Sequence, residues 1–564
     1  MPRKSERALP KKQYAVQLTG PSALVLNKEK PVVAPGPTQM LCRVEAVGLC
    51  FSDLKLLKQF SEHARKSEVI AGLSKEALAE IPSYVPGTKP TVPGHEAVCR
   101  IVATGAKVKR HKVGQRVLVQ ADYRFLKTAG SNGAFGYNFE GALQEYVLMD
   151  ERVMIDPETG DSFLIPVPED LSASALCLVE PWACVEDSYV SSERQAPLAG
   201  GRMLVVVESY ATAEGLDQAV ALSGAPGTVT AICAGEALQA AMRAVFPNVR
   251  FAEGVDSLAN EGFDDIIYFG ASKATVEALN DKLAQRGLVN IVLGARRFGE
   301  PVSIGVGRVH YGFTRWVGTA GSSAVESYRI IPATGEIRPG DSITVVGAAG
   351  PMGQMHVIRS LSAGVPGVTV TGMDIDDARL ATLAAKAEPL ARARGVGLKL
   401  VNSTRETPAA GATYIALMAP VGALLADAVK AAGEGSIINV FAGIPAPVKH
   451  AIDLDAYIAK HCYMFGTSGS VVRDMKIVLD KVVSHSLDTN ASVDAVSGMA
   501  GALDGLAAVE NRTLSGKIIV YPSLHNLGLV PLSRLAETLP KVAAKLSDGV
   551  WSKPAEDELL IAGA

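Results

Sequence analysis

The chain lacks the features that mark membrane and secreted proteins. No uninterrupted apolar stretch reaches about 18 residues, the length that a membrane-spanning helix needs, so we expect no membrane segment. No apolar run follows the basic residues 1–12, and we therefore expect no secretory signal. The seven cysteines are odd in number and show no paired spacing, which is typical of a reducing compartment. These absences predict a cytoplasmic protein.

A strong charge of either sign is also missing. The 55 basic and 58 acidic side chains leave a net charge of -3, whereas nucleic-acid binding needs a concentrated basic face. We therefore expect no nucleic-acid partner. The 564 residues are 48% hydrophobic and 20% charged, an ordinary composition for a folded protein. This length suffices for three or four domains.

Hydrophobic patterning divides the chain into two styles. Residues 13–150 hold short alternating runs separated by glycine and proline, which predict a β-rich, barrel-like unit with a charged insert at 60–85. From about residue 200, short apolar strands alternate with helical patterns, and this indicates a parallel sheet. The alternation starts again near residue 341, so we infer an internal repeat of the α/β unit.

A glycine-rich turn stands at the start of the second series, in "DSITVVGAAGPMGQMHV" (341–357). Gly347, Gly350 and Gly353 follow a predicted strand and open a predicted helix, with Pro351 and Met352 between the last two. Glycines at this spacing permit a tight turn, close approach of a pyrophosphate and close packing of helix on strand. The pattern predicts a dinucleotide site.

The residues after the next strand bear on the choice of dinucleotide. Asp374 ends that strand, where an acidic residue holds the adenosine ribose hydroxyls. Asp376 and Asp377 beside it would repel a 2′-phosphate, and Arg379 lies further along the helix. We therefore predict NAD rather than NADP, with Asp374 and Arg379 near the adenosine end.

The first series lacks this turn. Val207, Tyr210 and Ala213 stand at the positions that match the three glycines, and Cys233 matches Asp374. Side chains there would fill the space that a pyrophosphate needs. We predict that this copy is degenerate and does not bind a dinucleotide in the usual way.

Candidate metal ligands lie in three short stretches of the first 190 residues. The stretches are "VGLCFSD", "VPGHEAV" and "CLVEPWACVEDSY". A thiolate, an imidazole and one or two carboxylates suit a catalytic zinc with one open position. The candidates are Cys50, Ser52, Asp53, His95, Glu96 and Glu180.

Together with the dinucleotide turn, these stretches resemble the zinc-containing medium-chain alcohol dehydrogenase family. The most specific match is "VPGHEAVCRIVATGAKVKRHKVGQRV", and "AVGLCFSDLK", "EGALQEYV", "LVEPWACV" and "ENRTLSGKIIVYP" follow the family in order. The details resemble most the branch of sorbose-1-phosphate reductase and other polyol dehydrogenases. The resemblance implies zinc ligands at Cys50, His95 and either Glu96 or Glu180, a proton-relaying Ser52, and a second-shell Asp53 that orients a ligand.

Two departures from the family pattern limit what the resemblance implies. No cluster of four cysteines occurs near residues 120–135, so we predict one catalytic zinc and no structural zinc. Lys55 replaces the histidine that ends the proton relay in many relatives, which leaves that relay open.

The resulting fold prediction is an α/β protein with a β-rich GroES-like catalytic domain and two tandem Rossmann-type, doubly wound parallel-sheet domains. The predicted limits are 13–198 (completed by 483–522) for the catalytic domain, 199–335 for the degenerate copy, 336–482 for the NAD-binding copy and 523–564 for a helical tail. The degenerate copy is predicted to pack on the edge of the intact one, as an internal pseudo-dimer. Whether the chain also forms a homo-oligomer stays open.

The predicted function is zinc-dependent hydride transfer between NAD(H) and a secondary alcohol or ketone. The small-molecule substrate is expected to be a polyol, sugar or sugar phosphate. Two alternatives remain: a zinc-free NAD(P)H-dependent reductase, and a non-catalytic NAD-binding scaffold protein. Neither the exact substrate nor the direction of reaction follows from these motifs.

Overall fold

The computed structural model describes residues 9–406 and 409–563. They form two compact units. The first comprises the described parts of 1–186 and 469–564, and the second those of 187–468. A helix long and apolar enough to cross a membrane is absent from the described residues. The mixed α/β prediction is confirmed, whereas the four domain limits given above stay predictions.

The described strands alternate between short barrel-type and longer parallel-sheet elements. The first ten are β1 Lys12–Gly20, β2 Ala23–Pro31, β3 Gln39–Gly48, β4 Val69–Ala71, β5 Glu96–Thr104, β6 Arg116–Val119, β7 Asp122–Thr128, β8 Asn132–Ala134, β9 Tyr146–Asp150 and β10 Leu164–Pro166. The next fourteen are β11 Arg202–Val207, β12 Thr228–Cys233, β13 Arg250–Phe251, β14 Phe263–Phe269, β15 Leu283–Val292, β16 Val302–Ile304, β17 Arg315–Thr319, β18 Ser342–Val346, β19 Thr369–Asp374, β20 Gly397–Asn402, β21 Ala412–Leu417, β22 Ala432–Val440, β23 His450–Ile452 and β24 Tyr463–Phe465. The last are β25 Val493–Ser497, β26 Lys517–Val520 and β27 Val530–Pro531.

The α-helices lie mainly between the strands of the second unit and at the end of the chain. The first ten are α1 Phe51–Gln59, α2 Lys75–Ala79, α3 Glu151–Met154, α4 Ala173–Cys177, α5 Val179–Val190, α6 Leu216–Ala221, α7 Glu236–Val245, α8 Lys273–Leu279, α9 Val306–Tyr311 and α10 Glu326–Arg329. The others are α11 Pro351–Ser362, α12 Asp377–Arg394, α13 Gly422–Ala431, α14 Leu454–Ala459, α15 Val472–Val483, α16 Ala502–Asn511, α17 Leu535–Thr538, α18 Pro540–Ala543 and α19 Lys553–Ala562.

The first unit is built on a mainly antiparallel sheet of eight strands. Their order is β10-β6-β5-β3-β26-β25-β27, with β9 also paired to β3. Gly48, at the end of β3, pairs with Glu96 of β5 on one side and with Ile519 of β26 on the other. The end of β3, the start of β5 and the start of β26 therefore lie side by side, although β26 follows β5 by more than 400 residues.

The second unit contains a twelve-stranded sheet. Its order is β13-β12-β11-β14-β15-β17-β24-β22-β21-β18-β19-β20. Counted along the chain from each outer edge, both halves have the order 3-2-1-4-5-6 of a dinucleotide-binding fold. All pairs within each half are parallel. This matching order supports the internal repeat, and a duplication as its origin stays a prediction.

The two halves join at an antiparallel contact between β17 and β24, where Trp316 pairs with Met464. The short strands β16 and β23 add a second antiparallel pair between the halves. One apolar cluster extends across the joint, from Leu204 in β11 to Ile438 in β22. Burying both sheet edges removes unpaired backbone groups that would otherwise face solvent.

Candidate functional site

The loop after β3 places a thiol and a hydroxyl at the start of α1. Cys50 is the N-cap residue of this helix, and its backbone N–H donates to the Asp53 carboxylate at 3.0 Å. The Ser52 hydroxyl donates to Cys50 Sγ at 3.0 Å. Capping of this kind fixes the first turn of a helix. The sequence C-x-S-D thus orients Cys50 and Ser52 through local bonds alone.

His95 completes the second side of the site. Its Nδ1 lies 3.0 Å from Asp53 Oδ1, and its Nε2 lies 3.2 Å from Ser52 Oγ. Because a carboxylate only accepts, Nδ1 carries a proton here and Nε2 keeps its lone pair when the ring is neutral. Asp53 is fully buried and so holds both Cys50 and His95 in place, the arrangement that orients a metal-ligating histidine.

Glu96 and Lys517 form a buried ion pair beneath these residues. Lys517 Nζ donates to Glu96 Oε1, and both side chains are almost fully buried. Burial lowers the pKa of Lys517, but Glu96 raises it by more, so the net pKa lies above the ordinary value of a lysine. Glu96 Oε2 has no hydrogen-bond partner among the described residues. Gly48 makes room for it, since a Cβ there would lie 2.2 Å from that oxygen.

The structure brings three of the predicted ligands together. One donor atom each of Cys50, His95 and Glu96 lies within 4.8 Å of the others. A thiol, an imidazole nitrogen with a free lone pair and an orphaned buried carboxylate oxygen suit zinc. The residues therefore fit the metal that the sequence implies.

Glu180 lies outside this group of three in the described residues, at the start of α5. Burial raises the pKa of its carboxyl to about 7. His95 lowers this pKa and Glu96 raises it, so Glu180 is an electrostatic neighbour of the group. The geometry favours Glu96 over Glu180 as the third ligand.

The glycine turn of the second unit lies between β18 and α11. Gly347 has φ +81°, a conformation that favours glycine. A Cβ on Gly353 would lie 2.1 Å from the Gly347 carbonyl oxygen, so this glycine is needed for packing of helix on strand. A Cβ on Gly350 would meet nothing closer than 3.8 Å. The open space above Gly350, at the N-terminus of α11, is where a pyrophosphate fits.

Asp374 closes the far side of this turn. Its carboxylate accepts the N–H of Ala349 at 3.0 Å and that of Ile375 at 2.8 Å. Asp376 caps α12, and its carboxylate lies 3.8 Å from the Arg379 guanidinium. Arg379 therefore already faces an acid, which reduces its charge toward a 2′-phosphate.

The matching turn of the first half is differently built. Glu208 follows β11, and its carboxylate accepts from the Tyr268 hydroxyl at 3.0 Å and the Thr275 hydroxyl at 2.9 Å. A short helix, α6, begins only at Leu216. Tyr210 projects to the surface, where the Arg296 guanidinium lies 4.2 Å from its ring centroid. A carboxylate and a ring thus occupy this turn.

Sequence reasoning missed Lys517 because it lies 421 residues from its partner Glu96 and belongs to no recognised motif. His356 and His461 carry no metal cluster among the described residues. His356 Nδ1 bonds the Tyr189 hydroxyl at 2.7 Å, and His461 Nδ1 lies 2.5 Å from Glu434 on the surface. Cys177 is fully buried in the core.

Comparison with known proteins identifies the first unit. Residues 36–158 match the alcohol dehydrogenase GroES-like domain family. An uncharacterized Escherichia coli protein, YggP, is 23% identical over 345 residues, which is 55% of this chain and 75% of that protein. An alcohol dehydrogenase of Rhizobium meliloti is 32% identical over 138 residues, 22% of this chain and 33% of that protein. The chain therefore spans three quarters of the first relative and one third of the second.

A solved structure supports the fold. The 2R,3R-butanediol dehydrogenase of Bacillus subtilis superposes with a TM-score of 0.51 at 14% identity, covering 91% of this chain and 100% of that one. At this identity the likeness bears on fold alone. The sequence matches and this fold relate the chain to the medium-chain, zinc-type alcohol dehydrogenases.

Proposed function

We propose that this relative of the medium-chain, zinc-type alcohol dehydrogenases is a zinc-dependent oxidoreductase that transfers hydride between NAD(H) and a secondary alcohol or its ketone. The substrate class is a polyol, sugar or sugar phosphate. One observation carries the proposal: Cys50, His95 and Glu96 converge within 4.8 Å beside the Ser52 hydroxyl.

The protein side of the reaction follows from these contacts. Bound zinc would supply a Lewis acid that lowers the pKa of the alcohol, and NAD would supply the hydride acceptor. With Cys50 and His95 engaged as ligands, the Ser52 hydroxyl would exchange its present partners for the substrate hydroxyl and take its proton. Asp53 would hold the His95 ring by its Nδ1–H throughout, and burial of this carboxylate keeps water from that bond.

Lys517 would neutralise Glu96 from behind while Oε2 faces the metal. Removing either partner of a buried ion pair leaves a costly unpaired charge, so the pair supports a carboxylate ligand that stays ionised. The Glu96 and Glu180 alternatives are separable by zinc affinity. Glu96→Gln should weaken zinc binding more than Glu180→Gln does, as measured by competition with a chelator. The reverse ranking would make Glu180 the ligand.

The cofactor proposal rests on the second unit. The turn around Gly350 would receive the pyrophosphate, with Pro351, Met352 and Gly353 opening α11 beside it. Asp374 would accept the ribose hydroxyls, and the acids around Arg379 favour NAD over NADP. Glu208 and Tyr210 support the view that the first half does not bind a dinucleotide, because a carboxylate there would repel phosphate.

The first half would instead be a structural partner of the second. The joint between β17 and β24 supports the proposal of an internal pseudo-dimer, in which one chain supplies both halves of the sheet. Whether whole chains also associate is measured directly by sedimentation equilibrium.

The test is zinc content per chain together with NAD and NADP titrations of the wild type and Gly350→Trp. About one zinc and one NAD site, with NAD binding lost in the variant, would support the proposal. A metal-free protein that still reduces a ketone would favour the zinc-free reductase. NAD binding without turnover of any alcohol or ketone would favour the scaffold. NAD binding that survives Gly350→Trp would overturn the assignment of the second half.

A further inference from the structure

The insert after α1 contacts the candidate zinc site through one tyrosine. Its residues 60–66 form two single turns of 3-10 helix. The His63 ring centroid lies 5.1 Å from that of Tyr137, and the Arg65 guanidinium carbon lies 5.6 Å from the same centroid. Tyr137 in turn lies 5.9 Å from the His95 ring. The insert therefore places a cation two ring contacts from a metal-ligand candidate.

More positive than negative charge surrounds that cation. Arg65 and Arg124 both face Asp122, at 3.8 Å and 3.1 Å. Arg124 otherwise donates to the backbone carbonyl of Ser470 at 3.3 Å. A single carboxylate offsets only one guanidinium, so one positive charge remains over.

The other acids of the site are already engaged. Asp53 faces His95, and Glu96 faces Lys517. Glu180 remains and acts on Arg65 from a distance, since the ion pair of Arg65 in the described residues is with Asp122. Thus no acid of the site is a dedicated partner for the second arginine.

Lys55 adds to this charge from α1. It lies three residues after Ser52, and residues at that spacing share a helix face. The field is felt by His63: burial, then Arg65 and then Lys55 lower the pKa of its imidazole to about 4. His63 Nδ1 accepts the Arg65 N–H at 3.2 Å, so the proton of the neutral ring is on Nε2, which is a donor.

We propose that Lys55, His63 and Arg65, here called the cationic corner, bind an anionic group on the substrate, a phosphate monoester or a carboxylate. The inference rests on the proposed function, because the alcohol end of the same molecule would lie at Ser52. A guanidinium binds such oxyanions through paired hydrogen bonds, and a lysine adds a point charge. The side chain of Arg65 is 31% exposed, which leaves it accessible to a ligand.

The first arm measures anion binding without any turnover. Inorganic phosphate and acetate are titrated into the full chain by calorimetry, using wild type, Arg65→Met, Lys55→Met and the control Arg43→Met. Arg43 is half-exposed at the opposite end of β3. Loss of one charged hydrogen-bonding partner corresponds to about a tenfold to hundredfold loss of affinity. We expect that loss in Arg65→Met, a smaller loss in Lys55→Met and none in Arg43→Met.

The second arm compares kcat/KM for a neutral polyol, its phosphate ester and the matching aldonate. Arg65→Met should lower kcat/KM for the anionic substrate at least tenfold and leave the neutral polyol within twofold. The preferred anion, phosphate or carboxylate, identifies the group. Arg65→Lys, which keeps the charge but not the fork, should fall between.

The outcomes separate this inference from the proposed function. Phosphate binding that depends on Arg65, in a protein that oxidises no alcohol, would support the cationic corner and refute the dehydrogenase. Turnover of neutral polyols as efficient as that of anionic ones, with anion binding unchanged in Arg65→Met and Lys55→Met, would refute the cationic corner alone. Because Lys55 is exposed, its variant stays informative if Arg65→Met fails to fold.

Discussion

The last helix of the chain caps the helix that leads to the candidate metal site. Glu556, in α19, accepts the N–H of Ala173 at 2.6 Å and that of Ser174 at 2.8 Å, at the start of α4. The Tyr521 hydroxyl donates to the same carboxylate at 2.8 Å. Helix α5, which carries Glu180, follows directly. We predict that Glu556→Gln destabilises the first unit and weakens zinc binding.

The magnitude follows from the groups that lose a partner. Glu556 is only 3% exposed, so water cannot replace its oxygens. A lost N-cap costs about 0.5–2 kcal/mol, and a buried donor left unpaired costs about 1–3 kcal/mol. Glutamine keeps one accepting oxygen but turns an NH2 group toward a donor. We therefore expect a loss of about 2–4 kcal/mol in the free energy of unfolding.

The matched control is Asp557→Asn in the same helix. Asp557 is exposed and pairs with Lys553 at 2.7 Å, a surface pair whose removal costs at most about 0.5 kcal/mol. Urea unfolding is followed by fluorescence in a Trp316→Phe background, which leaves Trp182 and Trp551, both in the first unit. If Glu556→Gln shifts the midpoint no more than Asp557→Asn does, the capping argument is wrong.

Three further predictions concern the glycine turn, one buried histidine and the ion pair. Gly350→Ala should fold normally but bind NAD more weakly, whereas Gly353→Ala should lower the thermal midpoint; circular dichroism and NAD titration would show a failure as equal effects of the two. Burial and a neighbouring arginine lower the pKa of His356 to about 3, so the unfolded state binds more protons below pH 6.5. Stability of the second unit should therefore fall between pH 6.5 and 3, and His356→Gln should remove that part of the slope in urea titrations at several pH values. Lys517→Met leaves Glu96 without its cation, so zinc should raise the thermal midpoint of this variant more than that of wild type; an equal rise would argue against Glu96 as a ligand.

Local spacing was enough to predict the parts of the site that lie within a few residues of one another. The bonds of Asp53 to the Cys50 backbone and of Ser52 to the Cys50 thiol join residues two or three positions apart. The turn from β18 to α11 likewise depends on glycines three residues apart, because backbone conformation there is a local property. Strand and helix alternation also predicted the mixed α/β fold.

Only the tertiary structure decided which distant residues complete the site. Glu96 meets Lys517 because β3 lies between β5 and β26, and a strand order of this kind leaves no periodic mark on the sequence. Glu556 reaches α4 across 383 positions for the same reason. The choice of Glu96 over Glu180 beside Cys50 and His95 also needed distances. Sequence determines which groups are available and their local bonds, whereas long-range packing decides which of them share one buried space and what charge each must offset.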